Sequence, residues 1–224
     1  MKRKTDKTAI DWREKFIELI VVVIGITIAF LINRGYENYK NQHTEIQYLN
    51  SMHEDLKADV SQLDSVLQNM KTQDMAIGHL IRIIPGKRFQ EDSLLHLIQS
   101  VTTLYFFTPQ QTTFYALKNS GDLHLITDYK LRHDILNYYQ ELESLDYLHR
   151  ITTEYFNRYI VPIVINRLDL SGQKFSDRSF MHSAKFLNIV LGFRSLLLQQ
   201  KELYQKLRSR ALKILRKIPS ESNG

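Results

Sequence analysis

FIELIVVVIGITIAFLI, Phe16 to Ile32, is the stretch on which the reading of this chain turns. An apolar run of about 17 residues, extended by its neighbouring turns, can cross a bilayer core of ~30 Å as a helix. Lys2, Arg3, Lys4, Lys7, Arg13 and Lys15 precede it, and only Arg34 and Lys40 follow it closely. The positive-inside rule therefore predicts an N-terminus in the cytoplasm and a body outside it. Trp12 at one end and Tyr36 and Tyr39 beyond the other suit the two interfaces. A cleaved secretory signal has the same charged-then-apolar order, and a buried soluble helix is the third reading. Phe30, Leu31, Ile32 and Asn33 follow Ala29, which is no small-x-small cleavage site, so the stretch reads as an uncleaved signal anchor.

The rest of the chain reads as a helical body. Hydrophobic and charged contents of 43% and 24% are those of an ordinary globular chain, so one span carries the membrane signal. With 8 Gly and 4 Pro there is little loop material, and strand-like alternation is sparse. The absence of cysteine excludes disulfides and thiolate metal sites. The expected fold is all-α: a transmembrane helix continuing into a long amphipathic stalk, packed in an elongated bundle of about five helices. The divisions are a basic cytoplasmic N-terminus (1–15), the span (16–33), the stalk (34–84), a helical bundle (85–218) and a disordered tail (219–224).

Periodicity and punctuation place the helices. Ile46, Leu49, Leu56, Val60, Leu63, Leu67, Met70, Ile77 and Ile81 fall on two heptad positions, with His53 and Asp74 interrupting the same seam. Pro85-Gly86 ends the stalk, and a second helix is expected over Glu91–Phe106. Thr108-Pro109 reads as an N-cap with proline at the first helical position, and Asn119-Ser120-Gly121 as the end of that third helix. A short apolar connector, Asp122–Thr127, leads to Asp128, which caps a helix to about Leu168. Its inward face is Leu131, Ile135, Tyr138, Tyr139, Leu142, Leu145, Leu148, Ile151, Tyr155 and Tyr159, with a bend at Pro162. After a Ser171-Gly172 turn, Ser176 or Asp177 opens the last helix, to about Ile218. The stalk is expected to rise, the Asp128 helix to descend along it, and the last helix to rise again; a fold-back of the last helix stays open.

Glu18 to Ala29, followed by Asn33 and a charged heptad helix, resembles an uncharacterised family of small bacterial single-span proteins. TFYALKNSGDLHLITDYKLRHDILNYY, Thr113 to Tyr139, resembles that family's other recurring segment. The two segments touch about a third of the chain. The resemblance implies an inner-membrane protein of bacteria with a double envelope and a helical periplasmic body. It implies no activity. Gly35-Tyr36 stands where the family pattern has a tryptophan shortly after the span.

Candidate functional groups are few. Glu18, about one turn inside the cytoplasmic edge, is either an intramembrane carboxylate serving an oligomer or ion passage, or a side chain paired with Lys15. Gly25 and Ala29 form a small-xxx-small pair for span packing. Leu49, Leu56, Val60, Leu63, Leu67 and Met70 carry the stalk seam, which requires burial in an oligomer or against the chain's own Asp128 helix. Lys206, Arg208, Arg210, Lys213, Arg216 and Lys217 supply much of the net charge of +6. They read as a basic surface, either solvated or docked on lipid or an acidic partner; no nucleic-acid motif accompanies them. Thr108–Thr127 is either a binding loop or a capped helix and tight turn. Asp146 and His149 are half of a di-metal pattern that lacks its other half. No GxSxG elbow or GxxxxGK loop is present, so no enzyme, cofactor or small-molecule substrate is expected. The expectation is a single-pass, N-in envelope protein with a structural or interaction role, an oligomer or an accessory subunit of a membrane complex. Its partners are membrane lipid and either itself or another membrane protein. The alternative is a small oligomeric ion-conducting assembly using Glu18.

Overall fold

The computed structural model describes residues 12–85, 100–169, 174–175 and 178–218. The chain forms two compact units, Met1–Gln47 and Tyr48–Gly224. Helix α1, Trp12–Ile83, contributes to both. It is followed by α2 (Thr112–Asn119), a 3₁₀ turn (Asp122–Leu125), α3 (Tyr129–Tyr155), a π turn (Phe156–Ile160), α4 (Val161–Arg167), α5 (Arg178–Met181) and α6 (Ala184–Leu215). Between α4 and α5, β1 (Leu168–Asp169) pairs antiparallel with β2 (Lys174–Phe175). A ladder of that length leaves the class as expected, an all-α bundle. The division at Gln47 falls inside the expected stalk, so residues from Tyr48 onward are bundle and not a separate stalk.

Among the described residues of the first unit, nothing packs against α1. Every large apolar side chain from Phe16 (62% exposed) to Ile32 (68%) faces outward on all sides. Its polar contacts include local ones: Lys15 to Glu18 at 2.8 Å, Thr27 Oγ1 to the Val23 carbonyl at 2.8 Å, Asn33 to Glu37 at 3.3 Å.

In the second unit three long elements pack together, and their polar contacts fix the directions. Along α1 and α6 the pairs run in opposite order: Ile84 with His182, Asp74 with Arg194, Asp64 with Arg208. Along α1 and α3 they advance together, Tyr48 with Asp122 and Asp59 with Tyr138. Helix α3 is therefore parallel to α1 and does not descend along it as the sequence suggested. The return is made earlier, by the segment between Thr103 and Asp122, whose contacts step backwards along α1 from Gln73 through Gln62 and Asp59 to Tyr48. The last helix ends at the Tyr48 end of the bundle, with Lys217 Nζ 2.7 Å from Asp134.

That return segment also corrects the short helices. Residues 91–99 lie outside the described residues; Ser100 and Val101 are helical, and Thr103–Gln111 are not. Helix α2 starts at Thr112, four residues after the expected Thr108 cap, with Gln111 as an N-cap that makes no side-chain bond. Its end at Gly121, φ +81°, is as read. Asp128 caps α3 as expected, accepting from Lys130 N (2.7 Å) and Leu131 N (3.1 Å). The expected opening of the last helix at Ser176 or Asp177 lies outside the described residues, and α6 opens at Ser183, whose Oγ accepts from Phe186 N at 3.2 Å. The Ser171-Gly172 turn, the N-terminal basic cluster up to residue 11 and the tail 219–224 also lie outside them.

The seam of α1 differs from the expected one in half of its positions. Leu49, Leu56, Leu63, Met70 and Ile77 are buried as predicted. The second row, however, is Met52, Asp59, Val66, Gln73 and Leu80, with Ile84 completing the alternation of three and four. Val60, Leu67 and Ile81 are only partly buried beside it. Each row carries two polar residues, His53 and Asp74 on the expected one and Asp59 and Gln73 on the true one, so apolar content alone does not separate them. The roles of Asp59 and Gln73 are specific. The non-helical backbone from Thr103 to Gln111 lies along the bundle, mostly half-buried, and needs partners for its amides and carbonyls. Gln73 Nε2 donates to the carbonyls of Ser100 and Thr103. Gln62 Oε1 accepts from Thr108 N, and Asp59 Oδ1 from Gln110 N at 2.8 Å. Tyr204 Oη accepts from Phe107 N (3.1 Å), and Tyr139 donates to the Gln110 carbonyl.

Asp59, 1% exposed, also accepts from the fully buried Tyr138 hydroxyl at 2.8 Å. Burial outweighs both bonds and, with Asp55 one turn away, pushes its carboxyl up to about 6. Burial and the Asp59 carboxylate raise the Tyr138 phenol, so it remains a donor. Because the folded-state value lies above the unfolded one, the stability linked to Asp59 is full below about pH 4 and is lost as pH rises through about 6. A shift of about two units corresponds to ~3 kcal/mol. Asp59→Asn keeps the acceptor for Gln110 N–H and removes the charge. Compared with the native chain, this variant gains ~2–3 kcal/mol of relative stability between about pH 4 and pH 7.5. Denaturant titrations of both proteins at the two pH values measure it, and parallel pH dependences would sink the assignment.

Candidate functional site

The basic face of the last helix is spoken for within the bundle. Lys206 and Arg210 both pair with Glu141 of α3, Lys213 and Lys217 both with Asp134, and Arg208 with Asp64 of α1. The two lysines hold the Asp134 carboxyl below its usual range. These cations clamp α6 to its neighbours, and Arg216 alone of the six remains exposed outside such a pair. The cations stay at the surface, Lys213 61% and Lys206 54% exposed, while their pairs tie that basic surface to α1 and α3. Pairing was not legible because Asp64, Asp134 and Glu141 lie 60 to 150 residues away from their partners in sequence, roughly the separation at which local pattern carries no information.

The stalk seam residues Leu49, Leu56, Leu63 and Met70 are buried inside the chain's own bundle, with Val60 and Leu67 beside them, so the seam places no demand for a second copy. Gly25 and Ala29 lie on an exposed helix surface, and a Cβ on Gly25 would meet nothing within 4 Å. Glu18 is paired with Lys15 at 2.8 Å, both largely exposed. His149, the candidate ligand half, instead takes a 2.6 Å bond with the Tyr204 hydroxyl, and burial lowers its pKa. The Tyr204 oxygen already accepts from Phe107 N and Gln200 Nε2, so its proton goes to a neutral His149 Nε2. In the Thr108–Thr127 stretch, the Asp122 N–H donates to Ser120 Oγ and its carboxylate accepts from Tyr48; the Ser120 and Tyr48 hydroxyls hold the carboxyl below its usual range, and Gly121 supplies the turn. That is the capped-turn reading of the stretch.

The concave, unsatisfied feature of the second unit lies at its other end and was not anticipated. Pro162 has no N–H to give the Arg158 carbonyl and its ring crowds that carbonyl. The ladder accommodates this by widening just before it: Val161 N–H reaches back five residues to Phe156 O, closing the π turn. The extra residue rotates the helical face. Tyr159, expected inward, is 39% exposed, and Ile160 and Ile163 take the core positions. Across the bundle, Tyr155 Oη donates to the Ile189 carbonyl of α6 at 3.0 Å. The hydroxyl lies directly over Gly192, where a Cβ would overlap it and stand 2.8 Å from Tyr155 Cζ.

The displaced face opens a cleft of about 530 Å³ between the π turn, α4, α5 and the start of α6. Pro162, Ile163 and Ile189 form apolar wall. Arg158, Arg167, Lys185 and Asn166 form the polar lining, and among the described residues no carboxylate lines it. Two of the cations are laid on aromatic rings, Arg158 5.7 Å from the Tyr159 centroid and Arg167 5.1 Å from that of Phe180. His182 bonds the Ile84 carbonyl at 2.9 Å, which puts the cleft at the end of the bundle opposite Tyr48. The sequence carried two weak signs of it, a proline inside a helical period and a glycine inside an otherwise unbroken one. Only the first was read.

Residues 18–191 match a family of unknown function, DUF6090, and the chain belongs to that family. The matched region contains the apolar run from Glu18 onward, the seam of α1 and every described residue lining the cleft. No curated protein and no solved structure matches the chain.

If Gly192 is required by the Tyr155 hydroxyl, Gly192→Ala destabilises by ~1–3 kcal/mol through overpacking, although alanine is intrinsically the better helix residue. In a Tyr155→Ala background the same change stabilises by about 1 kcal/mol. Equal effects of Gly192→Ala in both backgrounds, measured by chemical denaturation, would show that the contact does not govern the site.

Proposed function

We propose that this chain is a single-pass, membrane-anchored protein with a structural or interaction role, its N-terminus in the cytoplasm and its helical bundle on the far side of a bacterial inner membrane. One observation carries the reading. The described part of the first unit is an α-helix whose apolar side chains, Phe16 to Ile32, have no partner among the described residues, whereas the second unit buries its own core. Water would oppose such exposure at about 25 cal/mol per Å², and lipid would not. The excess of cations before the run supports the orientation.

The self-association half of the proposal rests on the span alone, because the seam is satisfied within the bundle. Gly25 and Ala29 are its contact residues: both are open, one turn apart, and small enough for close helix approach. The Lys15 pairing of Glu18 supports a residue neutralised near the interface, and nothing favours the ion-conducting alternative.

The native chain has no cysteine, so single-cysteine variants report topology cleanly. In intact cells with a permeabilised outer envelope, Ser65→Cys is labelled by a membrane-impermeant maleimide and Lys4→Cys only after lysis. The opposite pattern would overturn the orientation. Light scattering of the nanodisc-extracted protein gives a mass above the monomer, and Gly25→Leu reduces it; a monomer in both cases would refute self-association through the span.

A further inference from the structure

We infer that the cleft beside the π turn is a binding site for a small molecule bearing a dianionic phosphate monoester. The inference is independent of the membrane reading and concerns the second unit only.

Charge comes first. Among the described residues three cations line the cleft and no carboxylate does. Several cations of α6 are matched within the bundle: Arg194 with Asp74, Arg208 with Asp64, and the pairs at Glu141 and Asp134. Arg158 and Lys185, like Lys201, have no carboxylate partner among the described residues. Lys185 also stands in the first turn of a 32-residue helix that has no acidic residue there. The helix macrodipole puts partial positive charge at that end, where cations are disfavoured and anions bound. An anion in the cleft relieves both conditions.

Geometry narrows the class. The Tyr159 ring covers one face of the Arg158 guanidinium, which leaves the N–H edge as its binding surface. That edge matches the paired oxygens of a phosphate or carboxylate, and Lys185 adds a point charge. Two unpaired cations match a phosphate monoester, which carries about −1.5 to −2 near neutral pH, better than a single carboxylate. At about 530 Å³ the cleft exceeds a bare phosphate and falls in the range of small-ligand sites. Pro162, Ile163 and Ile189 offer apolar contact to an organic body, and Asn166 a neutral donor and acceptor to its hydroxyls.

The source of the phosphate is either a soluble metabolite or a lipid headgroup, and the test separates them. Calorimetry on the full chain in nanodiscs uses inorganic phosphate and glycerol 3-phosphate as soluble probes, and nanodiscs with and without phosphatidic acid as the lipid arm. Glycerol 3-phosphate is expected to bind more tightly than inorganic phosphate. Arg158→Gln and Lys185→Gln each weaken it about tenfold, with unchanged thermal midpoints that exclude misfolding. Affinity falls as pH drops below about 6, where the dianion is lost. Binding of phosphatidic acid that the same two substitutions weaken, without binding of the soluble probes, would keep the site and assign the lipid source. Absence of binding by every phosphate probe at millimolar concentration, or binding that both variants retain in full, would overturn the inference.

Discussion

Side chains of α1, α3 and α6 complete the hydrogen bonding of a backbone segment that belongs to no helix. Residues 103–111 run back along α1, half-buried for the most part with Phe107 in the core, and an unpaired buried amide or carbonyl costs ~1–3 kcal/mol. Asp59, Gln62, Gln73, Tyr139 and Tyr204 each meet one or more of those groups. This requirement sets the polar residues on the seam, the parallel course of α1 and α3, and the burial of a carboxylate that would otherwise have no place there. It also accounts for the absence of a symmetric zipper. A chain with Asp59 and Gln73 on its inner row is specified for this one arrangement, since a second α1 would offer neither group a partner.

Much of the fold was legible because it is written locally. The long first helix, the Asp128 cap, the Gly121 turn, the inward face of α3 as far as Leu145 and the disturbance at Pro162 each follow from a few adjacent residues. The errors share one cause. The two candidate heptad rows carry equal numbers of polar residues, and the true one contains Asp59 and Gln73, whose value appears only when Thr103 and Gln110 are in place. Thr108-Pro109 has the chemistry of a helix start, but Asp59 and Gln62 claim the amides of Thr108 and Gln110. Local propensity lost to tertiary hydrogen bonding in both instances.

The functional surfaces divide in the same way. The apolar run announces itself by composition. The basic face of the last helix misleads, because a stripe of cations looks the same whether it meets solvent or Asp134, Glu141 and Asp64. The cleft was hidden for a different reason. It depends on one extra residue in a helical turn and on a tyrosine lying over Gly192, two facts of register that no window of sequence displays. The cations left unmatched after the ion pairs of α6 are assigned become visible only by subtraction.

The separations in these contacts have a kinetic consequence. Tyr204 meets Phe107 across 97 residues, Asp59 meets Tyr138 across 79, and Arg208 meets Asp64 across 144. Helical bundles usually fold fast because their contacts are near neighbours in the chain, and rates fall as the mean separation grows. Here the return segment cannot be enclosed until α6 has been synthesised and has come back along α1. Helices formed earlier must keep their apolar faces uncovered meanwhile. The molecule sets several long-range contacts into a helical bundle, and refolding slower than that of bundles held by near-neighbour contacts is the expected mark of that combination.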